Sequence, residues 1–156
     1  MQPNDPIQPE EIILRRVPEA QMDPSEPRWP RIEAFGPHPY NDTDGLSVYR
    51  AKFHTPAEAA GFRTKSKKKT WIAMLKASSI TALGLTLRPD PLEKTEDLPE
   101  QPGHALIVEM RTEQRLSYDV DQWKNSLLAA VIGVEGPFEP PPEKAANPPN
   151  PAGTVP

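Results

Sequence analysis

Five short neighbourhoods hold the side chains best suited to chemistry. Arg15 and Arg16 stand together in the apolar run 11–17, and Arg50 closes the run Leu46-Ser47-Val48-Tyr49-Arg50. Arginine offers a planar, permanently charged fork that matches phosphate or carboxylate. On a strand, Arg15 and Arg16 point to opposite faces. One faces solvent or pairs with an acid such as Glu109, while the other is free to hold an anion. Arg50 alternates with Leu46 and Val48, so it lies toward the interior and needs a partner or a bound anion there.

Ser47 follows the Asp44-Gly45 turn at a strand start. It either satisfies nearby backbone groups or lines a pocket. Its surroundings, Asp-Gly-Leu-Ser-Val, are not the G-x-S-x-G of a nucleophile elbow. His104 opens an apolar strand after Pro102-Gly103, and Glu109 ends that run. Glu109 is a candidate general base or ribose-binding carboxylate. His38, in a Pro-His-Pro kink, and His54 complete the histidines. No pair has i,i+4 spacing and no HExxH occurs, so no metal site is assigned.

The elements that must position these groups follow from the pattern. Residues 11–17 read as a strand stopped by Pro18. A long connection with six prolines follows, anchored by Met22, Trp29, Ile32, Phe35 and Tyr40; loops of this length often carry function. Residues 46–53 read as a strand. Thr55-Pro56-Ala57-Glu58 is a capping box with proline at the first helical position, and Gly61 ends that short helix. Residues 70–75 form a continuous apolar run, suited to a central strand. Ser78 or Ser79 caps a second short helix ending near Gly84. Residues 85–88 and 104–110 read as strands. Val120, Trp123, Leu127, Leu128 and Val131 form one stripe of a final helix. The fold class is α+β: a small mixed sheet, two short helices and one C-terminal helix.

With 156 residues and 22 prolines the chain suits one domain. Eight prolines lie in residues 137–156, where little apolar surface is present to offset ordering entropy. The expected division is an unfolded tail at 1–9, a domain at 10–135 and a proline-rich, disordered tail at 136–156. A net charge of −4 argues against a general nucleic-acid binder. The basic stretch 63–69, which includes Lys67, Lys68 and Lys69, leaves a local phosphate contact open, but no aromatic is interleaved for base stacking. The absence of cysteine excludes disulfides, cysteine-bound metals and thiol nucleophiles. No apolar run reaches membrane-spanning length, and a cytoplasmic setting is expected.

The pattern Leu14-Arg15-Arg16-Val17-Pro18, Gly45-Leu46-Ser47-Val48-Tyr49-Arg50, Leu83-Gly84-Leu85 with Pro89-Asp90-Pro91, and Pro102-Gly103-His104-Ala105 resembles a group of small, poorly characterised bacterial proteins. The element order also has a distant likeness to ADP-ribosyltransferase and RES-type domains. That likeness implies Arg15 or Arg16 and Arg50 on the phosphates of NAD, Ser47 and His104 lining the pocket, and Glu109 at the ribose. Ile107 departs from the pattern, since an acidic residue or glutamine usually stands there.

Two functions follow. The first is a non-catalytic binding or accessory protein of a bacterial conflict or toxin-type system. It would engage a protein partner through the aromatic loop 18–44 (Trp29, Phe35, Tyr40) or the basic loop 63–69. The alternative is an ADP-ribosyltransferase-like domain acting on NAD or a nucleotide-ended substrate, the only reading that calls for a cofactor.

Overall fold

The computed structural model describes residues 2–62 and 68–140. Six strands make one sheet: β1 (Ile12–Pro18), β2 (Leu46–Arg50), β3 (Thr70–Lys76), β4 (Leu87–Pro89), β5 (His104–Ile107) and β6 (Gly133–Phe138). Their order is β4-β5-β2-β1-β3-β6, and every pairing is antiparallel. Three α-helices, α1 (Pro56–Ala60), α2 (Ala77–Thr81) and α3 (Tyr118–Ala129), complete an α+β fold with a small sheet. No helix among the described residues is long and apolar enough to cross a membrane.

Strand alternation divides the apolar side chains between the two faces. Ile13 and Val17 of β1 join Val48, Ala73, Leu75 and Ile107 in the larger core, closed by Ile80 of α2, Val120 and Leu127 of α3, and Phe35 of the long loop. Leu14 faces the other way and packs with Tyr49, Ile72, Phe62 and the alanines of α1. The continuous apolar run of β3 is needed because both of its faces are covered.

Helix α1 is specified by its start. The Thr55 hydroxyl accepts the Glu58 N–H at 3.2 Å, and the Glu58 carboxylate accepts the Thr55 N–H at 2.8 Å. At α3, Ser117 accepts the Val120 N–H. Helix α2 departs from expectation. It begins at Ala77, with no side-chain cap from Ser78 or Ser79. The N–H groups of Ala77 and Ser78 donate instead to the carbonyls of Glu11 and Pro9, both at 2.9 Å, so backbone has taken the place of a cap.

Both ends of the described chain differ from the expected tails. Residues 2–9 lie against the domain: carbonyls of Pro3, Asp5 and Pro6 face Arg50, and Ile7 packs on the core. At the other end the chain does not leave the domain at residue 135. It runs on to Phe138 in β6, which pairs with β3. Gly136 permits this with φ +131°, because a Cβ there would stand 2.9 Å from the Trp71 ring. Strand β2 stops at Arg50, short of the expected Phe53, because the N–H groups of Phe53 and His54 turn back to the Arg50 carbonyl.

Candidate functional site

The β1–β2 ladder is short, pairing Ile13 with Arg50 and Leu14 with Tyr49. Beyond it lies a cleft of about 560 Å³. It is lined by Arg15 and Arg16 from β1, Ser47 and Tyr49 from β2, Gln21 and Lys124, and the long loop contributes a roof of residues 36–39, 41 and 42. Prolines 37 and 39 stiffen the roof. His38 organises it further: its Nδ1 accepts the N–H groups of Tyr40 and Asn41, while its own N–H donates to Asp42.

The two neighbouring arginines are treated differently. Arg15 bridges the cleft walls, with Nε donating to the Ala34 carbonyl and Nη1 to the Ser47 carbonyl, at 2.9 and 2.8 Å. Burial pushes its guanidinium down to about 10. Arg16 makes no hydrogen bond or ion pair with any described residue, and its Nη1 is buried without a partner. The Gln21 side-chain oxygen is also buried and unpartnered. A buried donor without an acceptor costs about 1–3 kcal/mol, and more when charged. The cleft therefore holds an unmet donor at Arg16, which favours an incoming acceptor, beside an unmet acceptor at Gln21.

Ser47 and His104 meet. His104 Nε2 lies 3.0 Å from Ser47 Oγ, and His104 Nδ1 lies 2.9 Å from the Asp90 carbonyl and 3.1 Å from the Asp90 carboxylate. The register explains the contact: His104 pairs with Tyr49, which puts it diagonal to Ser47 on the same face. Both acceptors at Nδ1 belong to Asp90, so Nδ1 carries the proton and Nε2 is left to accept from the serine. Sequence reasoning passed over Asp90. Its signal was the Pro89-Asp90-Pro91 frame, which fixes the backbone on both sides of the carboxylate.

No protein-family profile, curated protein or solved structure matches this chain.

The other expected site residues fall elsewhere. Arg50 is a correction: it holds no open position for phosphate. It is 1% exposed and all five of its donors are directed at acceptors. Nε and Nη2 fork onto the Glu11 carboxylate at 2.9 Å each, Nη1 meets the Pro3 and Asp5 carbonyls, and the longest contact, at 3.5 Å, is to Pro6. Burial raises the Glu11 pKa, but the Arg50 hydrogen bonds and charge outweigh it and hold the carboxyl below its ordinary value.

Glu109 lies outside the cleft. Its carboxylate takes the N–H and hydroxyl of Thr86, both at 2.7 Å. Burial raises its pKa, and those two bonds bring it below the ordinary value. Phe35 is a second correction: it is fully buried in the core and offers no surface to a partner. Trp29 is 39% exposed and Tyr40 80% exposed, the latter beside the cleft roof. Lys69 sits 3.9 Å from Glu139, and Lys68 is exposed. Lys67, with most of the basic stretch, lies outside the described residues. His54 is held by the Gly103 N–H on its Nε2 at 2.9 Å, and burial lowers its pKa. The described residues contain no group of three His, Asp or Glu placed to hold a metal ion.

Proposed function

We propose that the protein is a binding module whose cleft accepts an anionic group, phosphate or carboxylate, carried by a partner or small ligand. The observation that supports this reading is Arg16: a half-buried guanidinium lining the cleft with no acceptor among the described residues. Arg15 and Lys124 are further cations at the cleft, Lys124 being paired with Asp121 at 3.2 Å, and Tyr40 beside it is an exposed aromatic. The roof belongs to the 18–44 loop, so partner engagement through that loop and anion capture are one event. A cytoplasmic setting accords with the cysteine-free composition.

The ADP-ribosyltransferase alternative needs a late-strand carboxylate beside the arginines. Glu109 is held at Thr86 instead, and the carboxylates at the cleft, Glu33 and Asp42, come from the loop.

Calorimetric titration separates the cases, with pyrophosphate, succinate and NAD as probes. Saturable binding of pyrophosphate or succinate is expected, weakened at least about tenfold in Arg16→Gln, as loss of a hydrogen bond to a charged group implies. Tighter binding of NAD than of pyrophosphate would favour the nucleotide reading. No heat from any probe at millimolar concentration would overturn anion binding.

A further inference from the structure

From the relay Asp90–His104–Ser47, we infer that the cleft carries a serine nucleophile able to attack an ester or activated acyl group on an anionic substrate. This rests on the anion-binding reading only for the choice of substrate. The relay itself is independent of it.

The three groups stand in the roles that nucleophilic catalysis requires. Ser47 Oγ is within 3.0 Å of an imidazole nitrogen that is free to accept its proton. The other imidazole nitrogen is oriented by the Asp90 carbonyl and carboxylate. His104 is 5% exposed, so its ring is fixed and shielded from bulk water, whereas Ser47 lines the cleft. Tyr49 meets both the His104 and the His54 rings edge-on, with centroids 5.5 and 6.0 Å apart. Asp90 is the carboxylate at the imidazole, the charge that stabilises an imidazolium. Arg16, lining the same cleft with a donor to spare, is suited to a negative charge developing on the substrate.

The step balances without a co-reactant other than water. Ser47 Oγ bonds to the acyl carbon while its proton passes to His104 Nε2. The carbon–oxygen bond to the leaving alcohol breaks, and that alcohol takes the proton from His104. Water then attacks the acyl-serine, gives a proton to His104, and Ser47 leaves with that proton, yielding a carboxylic acid.

The test is covalent labelling with a fluorophosphonate, read by intact mass and peptide mapping. The Ser47 oxygen bonds to phosphorus, fluoride leaves, and the proton goes to His104. Stoichiometric label on Ser47 is expected. It should be absent in Ser47→Ala and slowed about a hundredfold or more in His104→Gln, the range of a lost general base. Asp90 acts through His104 as a positioning residue. Asp90→Asn should slow labelling of Ser47 while leaving pyrophosphate binding unchanged, and Asp90→Glu should restore the labelling rate in part. Ser47→Ala keeps the His104 ring packed, which guards against simple unfolding. Absence of label on Ser47 in wild type would overturn the nucleophile, as would a rate unaltered in a folded His104→Gln. Pyrophosphate binding by the same sample would still stand, so the two readings fail separately.

Discussion

Two arginines on adjoining strands, Arg50 of β2 and Arg16 of β1, show how differently one residue type is used. Arg50 is enclosed by acceptors from its own chain: a carboxylate fork at Glu11 and three backbone carbonyls from residues 3–6. Arg16 receives none from the described residues. The first is a structural tie joining the N-terminal segment to the middle of the sheet. The second is a charge that no described residue answers. What separates them is the provision of acceptors, not depth alone, since unpaired burial is what makes a charge costly.

The strongest way to break this contrast is to remove the Arg50 partner. Glu11→Ala strands a buried guanidinium and should destabilise by about 3–5 kcal/mol, seen as a large fall in Tm. Arg16→Met should leave stability within about 0.5 kcal/mol of wild type, or raise it, because no hydrogen bond or ion pair to a described residue is lost. A large loss in Arg16→Met would mean that Arg16 is structural too.

A second perturbation acts below the Arg50 tie. A Cβ on Gly103 would lie 2.5 Å from His54 Cδ2 and 2.8 Å from Phe53 Cβ. Gly103→Ala should therefore cost about 1–3 kcal/mol by overpacking, measured by chemical denaturation. An unchanged midpoint would show that the His54 shelf yields easily.

The pH response offers the smallest and most graded test. Burial lowers the His54 pKa from 6.5, so the unfolded chain takes the proton first and stability falls as pH drops below about 6.5. Glu11 is held below 4.5, so the stability contributed by its ionised form is present above 4.5 and lost as pH falls through the lower, folded value. Thermal melts from pH 8 to pH 3 should show both declines, with the first absent in His54→Gln. A flat Tm between pH 7 and 5 would contradict the burial of His54.

Much of the scaffold was legible because its signals are local. The capping box at Thr55, the apolar run of β3 and the helical stripe from Val120 each contain their own instruction within a few residues. Ser47 and His104 were visible as chemically able side chains, and their positions as strand residues could be read. Their meeting could not, because it depends on the pairing of Tyr49 with His104, and register is a tertiary property. Asp90 was hidden in its Pro89-Asp90-Pro91 frame, which enters the sequence pattern without giving the carboxylate a partner. Arg50 shows the opposite limit: its alternation with Leu46 and Val48 marked it as interior, but its acceptors come from residues 39 to 47 positions away. Strand β6 was missed because Gly133, Gly136 and Pro137 are poor strand residues, admitted here only by the close approach to Trp71.

The strand order has one more consequence, for how these molecules treat each other in a crowded solution. The two outermost strands, β4 and β6, carry Pro89 and Pro137. An open sheet edge is a template on which a second molecule can add a strand, and proline, lacking an amide hydrogen, interrupts that template. β4 is also only three residues long. Two of the 22 prolines thus stand guard where the sheet runs out, discouraging edge-to-edge stacking while the β1–β2 cleft, away from both edges, stays open to its ligand.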